Sequence, residues 1–132
     1  MPRKINAQFA IEFIMLISFM FIIFLGFTAI ATSKIIDAKE NERQQIAEDI
    51  AALAKNEINL ALIVSDGYNR NFTLPGKVNG NSYEIFILDN REIVVKYLDK
   101  EHVAFLQDNV RGNLNIGRNT IKNIDDVVYL NS

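Results

Sequence analysis

Cysteine and tryptophan are absent from the 132 residues, and there is a single histidine, His102. Without cysteine there is no disulfide and no thiolate metal site. A lone histidine leaves histidine-based catalysis and a multi-histidine metal centre without their second member. A surplus of positive charge is missing too: Lys and Arg number 14 against 16 Asp and Glu. Nucleic acid is therefore not the expected partner, since binding it rests on neutralising phosphates. No catalytic constellation stands out, so the chain reads as a non-enzyme needing no cofactor. Charge of either sign is also absent from residues 13–32.

That uncharged run is what the rest of the chain is organised around. At about 1.5 Å per residue, roughly 20 residues make a helix that crosses a bilayer core of about 30 Å. Arg3 and Lys4 precede the run, and by the positive-inside rule they stay in the cytoplasm. The C-terminal part then faces outward. The run is longer than the apolar core of an ordinary secretory signal, and residues 28–31 offer a poor cleavage site at its end. One carboxylate, Glu12, stands at its very start.

Gln8, Glu12 and Leu16 are spaced by four, directly after a short basic leader. In this stretch the chain resembles the archaeal type IV pilins with a class III signal, whose pattern is Gln-x-Ser-x-Glu-x-x-x-Leu. Ala10 replaces the usual Ser, one small residue for another. The resemblance covers about 30 residues, a single spanning segment with its leader. It implies cleavage between Ala7 and Gln8 by a prepilin peptidase. It also implies assembly with identical or related subunits, driven by an assembly ATPase and a membrane platform protein. The precursor would sit in the membrane and the product in an extracellular filament on the cell surface, with roles such as adhesion.

The chemistry of the motif fits that expectation. Cleavage before Gln8 frees an α-amino group with a pKa of about 8. Glu12 lies four residues on, hence on the same helix face. An unpaired carboxylate near the membrane core costs on the order of 2.5–3.5 kcal/mol. The amino terminus of a neighbouring subunit would relieve that cost and fix the axial stagger. Alternatively, Glu12 simply reaches the headgroups and complements the helix dipole.

Residues 34–64 contain neither proline nor glycine. Ile46, Ile50, Leu53, Glu57 and Leu60 fall on one stripe, with Ala47, Ala54, Ala61 and Val64 beside it, so the helix is expected to continue as an amphipathic half. Ile50 and Leu53 are expected to be buried under a sheet. Gly67 suits the residue just past the helix end, and Gly26 is a candidate kink.

Beyond residue 68 the period changes to two. Strands are expected at 71–74, 82–88, 91–98, 102–106, around 114–116, at 119–124 and at 127–130. Asn79-Gly80 and Asp89-Asn90 mark tight turns. The expected fold is α+β: a long N-terminal helix packed on a small antiparallel β-meander, as in pilins. Residues 1–7 form the leader, 8–64 the helix with its membrane or filament core in 8–33, and 65–132 an outward β domain. Asn71-Phe72-Thr73 is an N-glycosylation sequon at Asn71. The Asp and Asn pairs at turns have no calcium-loop spacing and are read as turn formers. The alternative function is a single-span, membrane-anchored envelope protein whose β domain binds a ligand or serves a structural role.

Overall fold

The computed structural model describes residues 3–132, with side chains from Lys4 onward. Met1, Pro2 and the Arg3 side chain, all in the expected leader, lie outside that description. One helix, α1 (Arg3–Ile63), is followed by β1 (Asn69–Leu74), β2 (Tyr83–Leu88), β3 (Glu92–Tyr97), β4 (Lys100–Phe105), β5 (Val110–Gly112), β6 (Gly117–Ile124) and β7 (Val127–Leu130). The α+β class and the long N-terminal helix are as the sequence predicts. The chain divides into two units, Met1–Glu40 and Asn41–Ser132.

The first unit is helical from Arg3, so α1 begins inside the expected leader and runs unbroken through Gly26. Its large apolar side chains are exposed, Phe13 and Phe24 each at 64%. The hydroxyls in this stretch do not break its apolar exterior. Ser18 Oγ donates to the Ile14 carbonyl at 2.8 Å, Thr28 Oγ1 to that of Phe24 at 2.8 Å and Thr32 Oγ1 to that of Thr28 at 2.9 Å. Each is satisfied one turn back along its own helix, as an environment without water requires.

The second unit holds the rest of α1 and two sheets. The three-stranded sheet has the order β2-β3-β4 and is an antiparallel meander. The four-stranded sheet has the order β1-β6-β7-β5. There β1 pairs antiparallel with the distant β6, and β5 pairs parallel with β7. The expected single meander is thus confined to β2–β4. The Asn79-Gly80, Asp89-Asn90 and Asp125-Asp126 turns have positive φ at both central residues (49° and 76°, 51° and 58°, 52° and 59°). That geometry matches the twist of the flanking strands, and Asn and Asp tolerate it better than other side chains.

Residues 114–116, expected as a strand, form none. Their polar neighbours take over the backbone instead. Asn113 Oδ1 accepts from the Leu114 N–H at 2.9 Å, and Asn119 Oδ1 from the Asn115 N–H at 2.8 Å. Asn119 Nδ2 donates to the carbonyls of Asn115 and Gly117 at 2.7 and 3.0 Å. The fully buried Asn119 thereby holds a loop whose Leu114 still enters the core.

The buried face of α1 consists of Ala47, Ile50, Ala51, Ala54, Ile58 and Ala61. Steps of four and three between 47, 51, 54, 58 and 61 give a stripe rotated from the expected one. Leu53 and Leu60 are 42% and 39% exposed, so the expectation that Leu53 is buried under a sheet is overturned. Alanine explains the shift: side chains this short let the helix backbone come close to the strands, and bulkier neighbours are displaced to the flanks. Opposite them lie Leu74, Ile93, Val95, Tyr97, Ile121 and Val128, all at most 2% exposed. The two buried tyrosines keep their hydroxyls paired, Tyr83 with the Pro75 carbonyl at 2.6 Å and Tyr97 with that of Val78 at 3.2 Å. Burial pushes the Tyr83 phenol above its ordinary pKa.

The C-terminus of α1 is closed from the sheet. Asn123, 1% exposed on β6, donates through Nδ2 to the carbonyls of Ala61 at 2.8 Å and Val64 at 3.3 Å. Its backbone N–H donates to the Tyr68 carbonyl at 2.8 Å, and its carbonyl accepts from Gly67 at 3.0 Å. Gly67, at φ 88°, sits in the turn after the helix rather than directly at its end.

Candidate functional site

The first unit carries the motif read from the sequence. Ala7, Gln8, Glu12 and Leu16 all lie within α1 and are all exposed. Gln8 Nε2 donates to Glu12 Oε1 at 3.3 Å, a contact that the i,i+4 spacing makes on any helix. Leu16 continues the same line one turn further, and Phe9 and Phe13 flank it, exposed at 66% and 64%. The carboxylate is thus set in an apolar surface with one neutral amide as its partner. Among the described residues it makes no ion pair. Lys4, two helical turns before it, is too far along the axis to reach it directly. The free carboxylate oxygen can accept from a cation or N–H donor brought by another molecule.

The apolar stretch beyond Glu12 is long enough to cross a membrane, and none of it is buried within the chain. A helix surface apolar all round has no seam of its own and is of the kind that suits a membrane span.

The remaining sequence candidates sit in the second unit. Asn71 is exposed on β1, and its Oδ1 accepts from Thr120 Oγ1 on the neighbouring strand at 2.8 Å. Thr73, the third sequon residue, shares that face because strand side chains alternate. His102 Nδ1 lies 4.0 Å from Glu48 on α1, an ion pair only when the imidazole is protonated. The Asp and Asn pairs at 89–90 and 125–126 are central turn residues. Among the described residues no group of three or more His, Asp or Glu is arranged to hold a metal ion.

Two features were not read from the sequence. Arg43 reaches from α1 to the β3–β4 turn, where its Nη1 lies 3.0 Å from Asp99 Oδ1. The Asp99 backbone N–H, and after it Arg43, hold that carboxyl below its usual range. The other feature is the pair of outward sheet faces, one basic and one acidic and apolar. Their composition becomes visible once strand register is known. Set against known proteins, the chain matches no family model, no curated protein and no solved structure.

Proposed function

We propose that the chain is a structural subunit of a type IV pilin-like extracellular filament, held in the membrane as a precursor and assembled through the first part of α1. The observation that carries this reading is Glu12 with Gln8 one turn before it, set at the start of an exposed helix surface with no cationic partner for the carboxylate among the described residues. Such a group is costly in apolar surroundings and is kept where a partner arrives from outside. Cleavage between Ala7 and Gln8 supplies that partner on every copy, as an α-amino group one turn before each Glu12. The pair attracts in surroundings where screening is weak, and it is directional along the helix. It selects one stagger among those that apolar contacts alone would allow.

The processing enzyme in this reading is a prepilin peptidase, and an ATPase with a membrane platform protein drives assembly. Two measurements test it in the native host. The mature chain is expected to start at Gln8 by mass spectrometry and to retain the whole apolar run. Glu12→Gln and Glu12→Leu are expected to insert in the membrane at parental levels and to lower filament number by about tenfold or more, as counted by electron microscopy. A chain that keeps Met1, or filaments at parental number from Glu12→Leu, sinks the proposal and leaves the membrane-anchored envelope protein as the better reading.

A further inference from the structure

Strand register sorts the outward side chains of the second unit into two faces of opposite character. On the three-stranded sheet, Ile85, Ile93, Val95 and Tyr97 point into the core. The alternate positions face away from it. Phe86, Val94 and Val103 stand opposite one another across the three strands, with Val94 buried between its half-buried neighbours, and Leu88, Glu92 and Phe105 form the next, more exposed row. Phe105 is 64% exposed and Leu88 44%. The third row is Glu84, Lys96 and Glu101. Lys96 is already engaged, 3.7 Å from Glu101 and 5.6 Å over the Phe86 ring. Glu84 and Glu92 make no ion pair among the described residues. This face is an apolar patch with a net negative rim.

On the four-stranded sheet the alternation runs the other way. Asn119, Ile121 and Asn123 of β6 are buried, so Arg118, Thr120, Lys122 and Ile124 face out. Tyr129 lies opposite Lys122 on one side and Arg111 on the other, and the Arg111 guanidinium is 5.9 Å over its ring. Lys122 Nζ donates to the Ser132 carbonyl at 2.8 Å. No strand residue on this face is acidic, and Asp125 and Asp126 stand in the turn at its end. Asn71 lies at its β1 margin. Ile124 and Val127, paired across β6 and β7, give it an apolar strip.

We infer that the acidic, apolar face of the three-stranded sheet docks on the basic face of the four-stranded sheet of a second copy of this chain. Charge complementarity names the partner. Arg111, Arg118 and Lys122 on one face meet the unpaired Glu84 and Glu92 on the other, while Phe105 and Leu88 find Ile124 and Val127. Placing either face on its own copy sets like charges together, which opposes a two-fold dimer. Two different faces make a heterologous contact, which repeats instead of closing. The inference deepens the filament reading and rests on it for its setting: β domains would add a second, salt-sensitive contact to that made by the helices.

The lack of cysteine makes the test clean. Phe105→Cys and Ile124→Cys are introduced together in the full chain, and membranes and surface filaments from the host are treated with a short bis-maleimide. The double variant is expected to give a ladder of multimers, and each single variant to stay monomeric. Arg118→Glu with Lys122→Glu should weaken the ladder by about tenfold or more. Adding Glu84→Lys and Glu92→Lys should restore it, which separates lost attraction from lost folding. Dimers from either single variant, or a ladder indifferent to charge reversal, overturn the inference. Parental filaments without a ladder overturn it too and leave the filament reading standing. A ladder in cells that never make filaments upholds the contact and removes the filament reading.

Discussion

Asn123 ties the end of α1 and the turn after it to the sheet through four hydrogen bonds, its side chain donating to the Ala61 and Val64 carbonyls and its backbone pairing with Gly67 and Tyr68. Replacing it by alanine leaves the backbone pairs intact and strips the cap from the Ala61 and Val64 carbonyls. The Ala61 carbonyl is buried, and a buried acceptor left without a donor costs about 1–3 kcal/mol. Asn123→Ala is therefore expected to lose stability in that range, and Asn123→Asp at least as much, because a buried carboxylate cannot donate to a carbonyl. Urea unfolding of the full chain in detergent, followed by tyrosine emission, reads both. A loss below about 0.5 kcal/mol would show that water replaces the cap. Nothing in the sequence around residue 123 announces this role, because the partner carbonyls lie some 60 positions away. The i,i+4 pair of Gln8 and Glu12 was legible because helix geometry alone brings it together.

At the level of elements, the amphipathic half of α1 was legible as a helix and misread in its rotation. Ile50 is buried as expected, but hydrophobic size also pointed to Leu53 and Leu60, whereas the core took the alanine line with Ile58. Side-chain bulk indicates which residues gain most from burial, but a helix lying close to strands is chosen by what fits under it. Ile58, fully buried, is expected to lose about 2–5 kcal/mol as Ile58→Ala, as large-to-small core changes do. Leu53→Ala should lose about 1 kcal/mol or less, because that side chain already meets solvent. The same urea titrations compare the two, and equal losses would contradict the packing described. The hairpins at 79–80 and 89–90 were read correctly since their turn chemistry is local. The loop at 113–117 was not: its form depends on Asn119 reaching back to it.

At the scale of the whole molecule, the class and the division between an exposed apolar segment and a packed unit follow from composition along the chain. The strand order does not. β1 and β6 meet across the entire three-stranded meander, and β7 enters between β6 and β5. Neither alternation nor turn residues carry information on pairings so distant. A testable consequence is that removing residues 127–132 deprives β5 of its parallel partner and exposes one edge of β6. The truncated chain is expected to remain helical by circular dichroism and to lose cooperative unfolding of its tyrosine signal. Retention of a full-length transition midpoint would show that β7 is dispensable.

The place of β7 also sets a schedule. It is the last strand made, yet it lies inside its sheet, so the four-stranded layer waits for Leu130 to be released. Synthesis at about 5–20 residues per second leaves an interval of several seconds between completion of α1 and that moment. A helix forms within about a microsecond. The apolar helix is therefore formed long before the four-stranded layer can close behind it.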